Sequence, residues 1–202
     1  FNIQRQLSND IALEVGYQGS QGHKLERYRI WNQPVSRTGP NDTRTVAQRR
    51  PWPAYGNFQM VDSSANANYN ALSGKLQQRF SRGLTYLVGY TWSKSIDSGS
   101  AIRNNNGDNQ WPADSYNLHR ERALSQFHSG RRLVTSLLYE LPLGAGKPFA
   151  NWRGAADKLL GGWQVGSILT FADGTALHVG GIGDTNATTL YEGNRPNATG
   201  IS

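Results

Sequence analysis

Gly144-Ala145-Gly146-Lys147-Pro148 sets glycines ahead of a lysine, the order used by a loop that wraps backbone N–H groups around phosphates. That chemistry needs Ser or Thr after the lysine to meet Mg²⁺, and a helix opening at the same point. Pro148 occupies that position, so the segment reads as a turn. Gly180-Gly181-Ile182-Gly183-Asp184 is also glycine-rich, but it lacks the strand-then-helix frame of a dinucleotide site. Histidines occur at 23, 119, 128 and 178, and no two have the i,i+4 helical spacing of zinc enzymes. His119, Glu121 and His128 share one stretch with Asp108 and Asp114; these could meet a divalent cation, although solvated loop residues are the plainer reading. Ser125 lies near His128 without the G-x-S-x-G elbow that makes a hydrolase serine nucleophilic. The absence of cysteine removes thiolate ligands, disulfides and cysteine nucleophiles. The sequence therefore predicts no catalytic residue, no metal site, no cofactor and no enzyme.

Trp52, Tyr55, Trp111 and Tyr116 stand among Asn, Asp and Arg in long polar segments. Aromatic faces beside amide groups suit capture of a sugar or peptide by stacking and hydrogen bonding, and loop-on-loop packing is the competing use. These four are the predicted extracellular-loop ligand contacts.

The elements that would position such residues follow a two-residue rhythm. Leu84, Tyr86, Val88, Tyr90 and Trp92 share one face of a segment whose other face is Thr85, Leu87, Gly89, Thr91 and Ser93. Alternation at this period marks a strand, because successive side chains point to opposite sides. Ile11, Leu13, Val15 and Tyr17 alternate likewise, with a continuation through Tyr28 to Trp31 expected past an irregular stretch from Gly19 to Lys24. Leu72, Gly74, Leu76 and Phe80 follow in a third strand, about Tyr69 to Phe80. Leu133, Leu137, Tyr139 and Leu141 belong to a later one, and Trp163, Val165, Leu169 and Phe171 to the last. Phe1 to Leu7 reads as a strand end, Ser81-Arg82-Gly83 as a hairpin turn, and Ala155 to Leu160 as one short helix. Long polar connections cover about 34–66, 97–129 and 173–202.

Charge placement sharpens this. Glu14, Lys75, Arg79, Arg132 and Glu140 fall on the polar faces, while Lys94, Arg131 and Asp173 share the apolar parity only at strand ends. A charge at the bilayer midplane costs about 2–4 kcal/mol and little at the interface. The pattern predicts antiparallel up-and-down strands, about six of them, forming part of a transmembrane β-barrel wall. Short connections and long ones alternate, as periplasmic turns and extracellular loops do. Glu14, Lys75, Arg79, Arg132 and Glu140 are then lumen-facing. Tyr17, Leu72, Leu76, Phe80, Leu84, Tyr86, Val88, Tyr90, Trp92, Leu137, Tyr139, Trp163 and Phe171 face lipid or form its aromatic girdles.

Composition agrees. Of the 202 residues only 37% are hydrophobic, yet there are six Trp and nine Tyr. A carbohydrate-binding β-sandwich or surface adhesin would share that balance and is the alternative reading. No stretch reaches the roughly 18 apolar residues of a transmembrane helix, whereas barrel strands need only about 9–11. The chain opens on Phe1-Asn2-Ile3 and is read as a fragment or processed piece. Its net charge of +7 comes from arginines scattered mostly in the predicted loops (Arg44, Arg49, Arg50, Arg103, Arg120, Arg122, Arg131, Arg132), so nucleic acid is not an expected partner.

Several strings in this order resemble a known family. They are Glu14-Val15-Gly16-Tyr17-Gln18-Gly19-Ser20-Gln21-Gly22-His23, Asn68-Tyr69-Asn70-Ala71-Leu72 with Arg79-Phe80-Ser81-Arg82-Gly83-Leu84, and Tyr90-Thr91-Trp92-Ser93-Lys94-Ser95-Ile96-Asp97. Tyr139-Glu140-Leu141-Pro142-Leu143-Gly144 and Leu159-Leu160-Gly161-Gly162-Trp163-Gln164 complete the set. Together they resemble the barrel of Oar-like TonB-dependent receptors over most of residues 1–200. The resemblance implies transport of an unidentified substrate across the bacterial outer membrane, energised through TonB. It also implies outer-membrane lipid, a plug domain and further barrel strands as partners. No plug, TonB-contacting segment or regulatory domain is recognisable in these residues, so transport is expected of the parent protein.

Overall fold

The computed structural model describes residues 1–100, 111–149 and 154–177. The chain is all-β, with one six-residue α-helix among the described residues. Seven strands form one sheet: β1 (Asn2–Gln6), β2 (Ile11–Trp31), β3 (Phe58–Ser81), β4 (Leu84–Asp97), β5 (Ala123–Leu124), β6 (Arg131–Glu140) and β7 (Gln164–Ala172). Their order is β1-β2-β3-β4-β6-β7, with the short β5 paired to β4. The helix, α1, spans Ala155–Leu160 where the sequence places it.

Two strands are longer than their patterns predict. β2 runs 21 residues through the stretch read as irregular, absorbing Lys24 at φ 55°. β3 starts at Phe58, about eleven residues before the predicted Tyr69, so the connection expected over 34–66 ends at residue 57. Within 97–129 the chain forms a 3₁₀ turn at Leu118–Glu121 and then β5. Asp108, Arg103, His178, the 180–184 glycine run and most of the 173–202 connection lie outside the described residues.

Registers bear out the alternation in β1, β2, β4, β6 and β7. β1 and β2 pair Ile3 with Val15 and Gln4 with Glu14. β4 and β6 pair Leu84 with Tyr139, Tyr86 with Leu137 and Tyr90 with Leu133. β6 and β7 pair Leu133 with Phe171 and Tyr139 with Val165. Apolar rows thus run level across β4, β6 and β7, since directly opposed residues share a face. The β3–β4 turn has Arg82 at φ 53° and Gly83 at φ 81°, the left-handed pair of a two-residue hairpin. A Cβ on Gly83 would come 3.1 Å from the Glu140 carbonyl oxygen.

By contact density the chain divides into two units, and β2, β3 and β4 contribute to both. The wall unit comprises Phe1–Gly19, Asn70–Lys94 and Ser129–Gly174. Its large apolar side chains are exposed: Ile168 by 77%, Phe171 by 63%, Trp92 by 61% and Trp163 by 60%. A water-soluble sandwich of this size would bury such residues between two sheets.

The loop unit comprises Ser20–Tyr69, Ser95–His128 and Thr175–Ser202. Its buried side chains are mostly polar: Arg27, Asn32, Gln33, Arg49, Asp97, Ser115, Glu121 and Ser125, with Ile30 and Ala65 among them. Buried polar groups persist only when hydrogen-bonded, so this unit is held by specific bonds more than by apolar packing. Arg49, expected in a solvated loop, is instead buried and donates to the Val35 carbonyl at 2.6 Å. Arg131 and Arg132 lie in β6, at its start, and not in a loop.

Candidate functional site

The polar face of β1, β2 and β3 gathers the charges that parity assigned to it. Lys75 Nζ lies 3.5 Å from Glu14 Oε2, and Asn2 Nδ2 donates to Glu14 Oε1 at 2.7 Å. Ser73 Oγ donates to the Gly16 carbonyl at 3.3 Å, fixing β3 against β2 in this row. Nearer the first turn, Gln4, Gln6, Asp10, Gln77 and Arg79 line a polar hollow of about 320 Å³. Glu140 accepts from Lys147 Nζ at 2.8 Å, which employs the lysine of the glycine-flanked turn in an ion pair. Arg132 sits in the row of Thr91 and Ala172. The five expected residues thus fall into separate places: Glu14, Lys75 and Arg79 on β2 and β3, Glu140 and Arg132 at opposite ends of β6.

The opposite rows hold the apolar set. Tyr17 Oη donates to Asn70 Oδ1 at 2.7 Å, so the phenol is satisfied without leaving that face. Leu72, Phe80, Tyr90 and Trp92 are exposed, as are Trp163 and Phe171 on the β7 side. Charges occur on this face only near strand ends. Arg131 Nε donates to Asp173 at 3.0 Å, and Arg5 stands opposite Leu13 two residues before the turn. Arg5 was not singled out from the sequence, because its strand is short and its alternation weak.

In the loop unit the four expected aromatics separate. Trp52 and Tyr55 come together with Trp31, Phe58 and Met60 around an open apolar cleft of about 430 Å³. Phe58 lies with its ring centroid 6.5 Å from that of Trp52 and 6.0 Å from that of Tyr55. Trp111 instead packs on Tyr28 at 5.1 Å, and Tyr116 Oη donates to the Gln33 carbonyl at 2.8 Å. Those two serve packing. Phe58 and Met60 escaped the sequence reading because residues 58–66 passed for loop, which hid their alternation at a strand end; Trp31 was read only as a strand end, with no part in the cleft.

Two adjacent buried amides hold the connections in place. Asn32, at φ 59°, accepts from Trp52 N through Oδ1 at 2.8 Å. Its Nδ2 faces the carbonyls of Trp52, Tyr55 and Gly56 at 2.9–3.1 Å. Gln33 accepts from Ser115 N at 2.8 Å and donates to the Ala113 carbonyl at 3.0 Å. Arg29 pairs with Asp62 at 3.0 Å, donates to the Ser115 carbonyl at 2.8 Å and lies 5.3 Å from the Trp31 ring centre. The Asp42 carboxylate accepts from Arg44 Nη2, at 2.8 Å, and from Thr38 N. These bonds, the Arg44 side chain first, hold its carboxyl well below the usual range. Burial first, then the charge of Asp114, pushes the Tyr116 phenol up.

The remaining reactive residues are occupied structurally. Glu121 Oε1 accepts from Ala113 N at 3.0 Å, and His128 Nδ1 from Ser95 N at 3.3 Å. Ser125 is buried, with Oγ accepting from Phe127 N. No group of three His, Asp or Glu among the described residues could hold a metal ion.

A polar row, an apolar row behind it and level registers are the geometry of a barrel wall, and one comparison decides the family. The outer membrane beta barrel domain family matches residues 1–201. The chain belongs to that family. As an outer-membrane β-barrel domain it resides in the bacterial outer membrane, and its exposed apolar rows need no second sheet. No curated protein and no solved structure matches it.

Proposed function

We propose that this barrel domain is part of the wall of a TonB-dependent, Oar-like transporter that moves a substrate across the outer membrane. In this reading the rows of Leu84, Leu137 and Phe171 face hydrocarbon, and Glu14, Lys75, Arg79, Arg132 and Glu140 face the lumen. The observation that carries it is the depth profile of the apolar face. From Trp163 just before β7 to Asp173 just after it, the chain rises over ten steps of about 3.4 Å each, or about 34 Å. Tilted by about 40°, that spans close to the 25 Å of an outer-membrane apolar band. An aromatic marks the lower end and the Arg131–Asp173 pair the upper. The ordered strings described above are what supports the transporter class.

Two measurements test this. Brominated lipids should quench Trp92 and Trp163 while sparing Trp111; equal quenching of all three would remove the wall assignment. Cells depleted of TonB should lose whatever solute the full-length protein accumulates, as read by mass spectrometry of cell contents. Accumulation unchanged by TonB depletion overturns energised transport.

The aromatic cleft favours a capture step at the loops. Trp52 and Tyr55, both about half exposed or more, offer stacking faces to a sugar or peptide. Trp52→Ala should weaken uptake at low solute concentration and leave the maximal rate unchanged; the opposite split would remove the cleft from the path.

A further inference from the structure

The connection from β6 to β7 is tied down by its own hydrogen bonds, yet it keeps its large apolar groups outside. Leu141 N donates to the Trp163 carbonyl at 2.8 Å, extending the ladder one pair beyond Glu140 and Gln164. Trp163 therefore continues the row of Val165 and Phe171, the row assigned to lipid. Its indole Nε1 donates to the Leu159 carbonyl at 3.0 Å. That carbonyl belongs to the last turn of α1, where a helix leaves its acceptors without intrahelical partners. The bond sets the end of α1 beside the outward-facing indole.

The helix is also held from the β6 side. Asp157 Oδ1 accepts from Ala145 N at 2.6 Å, and Gly161 N donates to the Asp157 carbonyl at 2.8 Å. A Cβ on Gly144 would come 2.9 Å from Gly161 Cα, so these glycines let the two halves of the connection meet backbone to backbone. Phe149 N donates to the Pro142 carbonyl at 3.1 Å. Leu159 is nonetheless 73% exposed, Phe149 64% and Trp163 60%. Bonded backbone with outward apolar side chains suits a water-poor boundary, where an unpaired backbone group is costly and buried apolar area is stabilising. Lys158, next to Leu159, is exposed and has no carboxylate partner among the described residues, whereas Lys147 pairs with Glu140.

Resting on the wall reading above, the geometry points to this connection as an interfacial anchor lying on the phospholipid headgroups of the periplasmic leaflet. Continuity with the lipid row through Trp163 selects the bilayer as occupant. Leu159 enters beside the indole, and Phe149 adds apolar area from the same connection. The Lys158 ammonium meets lipid phosphate at the end of its aliphatic stem. At this rim the girdle is thus a folded patch as well as a row of strand residues.

Spin labels at single cysteines test the anchor in a cysteine-free full-length protein, reconstituted in vesicles of phosphatidylethanolamine and phosphatidylglycerol. The sites are Leu159→Cys, Arg82→Cys at the tip of the β3–β4 hairpin on the same rim, and Leu169→Cys within the wall. Oxygen concentrates in hydrocarbon and a nickel chelate stays in water, so the ratio of their collision rates reads depth. The ratio at 159 should stand severalfold above that at 82 and below that at 169. Lys158→Glu, combined with the label at 159, should lower the ratio there severalfold; an unchanged ratio overturns the phosphate contact. A ratio at 159 equal to that at 82, with 169 still lipid-like, overturns the anchor and leaves the wall standing. A label at 159 shielded from both reagents shows a protein cover and overturns the lipid occupant. A water-like ratio at 169 overturns the wall assignment itself.

Discussion

Asn32 does more for the loop unit than its size suggests. It occupies a left-handed backbone position and bonds the backbone of Trp52, Tyr55 and Gly56 through a buried side chain. Truncating it leaves buried carbonyls without donors, at about 1–3 kcal/mol for each group left unsatisfied. Asn32→Ala should therefore speed hydrogen exchange of residues 50–57 markedly while the β4–β6–β7 amides stay protected. Asp42 gives a pH prediction with a definite sign. Its folded pKa is depressed, so its stabilisation is full above the unfolded value of about 3.9 and is lost as pH falls through the lower folded value. Amide shifts of Thr38 and Arg44 should stay native-like at pH 4 and change only well below it, and Asp42→Asn should abolish that transition. That Glu14 and Lys75 lie on the polar faces was legible from parity, because alternation dictates which side a strand residue takes; their pairing was not, because it depends on the β2–β3 register. The roles of Asn32 and Gln33 were not, since Asn-Gln-Pro is also what any polar turn looks like.

At the scale of elements, legibility tracked the solvent each segment meets. β4, β6 and β7 announce themselves because one row must be apolar from end to end. Beyond Phe58 and Met60, the first half of β3 carries Ser63, Ser64, Ala65, Asn66 and Ala67, small and polar residues that continue no apolar row. Its partners there are polar, with Arg29 of β2 paired to Asp62 and Ser98 N donating to the Asn66 carbonyl, so the stretch carries little alternation to read. The same logic sets the cost of substitution. Leu137→Lys, in the row of Tyr86 and Ser167, should lower unfolding free energy in vesicles by about 2–4 kcal/mol. Ser136→Lys, one residue away on the other face, should cost far less in the same denaturant titration. At the β3–β4 turn, Gly83→Val should slow folding and destabilise the hairpin by more than 1 kcal/mol, about the penalty for a side chain at positive φ.

For the whole molecule, the sheet order leaves β1 and β7 as the outermost strands of the described sheet. Unpaired backbone groups cannot face hydrocarbon, so both edges need neighbours in the membrane. Residues 1–202 expressed alone should associate through these edges when refolded in detergent, and size-exclusion chromatography with light scattering would show mixed oligomers. A homogeneous monomer would show that the edges are capped some other way. Outer-membrane membership and the all-β class were both readable from strand rhythm and charge depth. The buried polar scaffold of the loop unit was not, because it is built from single hydrogen bonds that leave no periodic trace.

The Arg131–Asp173 bridge has a mechanical consequence. In the wall reading proposed above, it ties the tops of β6 and β7 together at the upper edge of the apolar band, which disfavours either strand sinking by itself. Pushing the pair inward by one turn of the pleat would drag both charges into oil, and lifting it would pull Trp163 off its shelf at the other rim. In that reading the bridge would serve as a waterline for the depth at which this stretch of the protein floats.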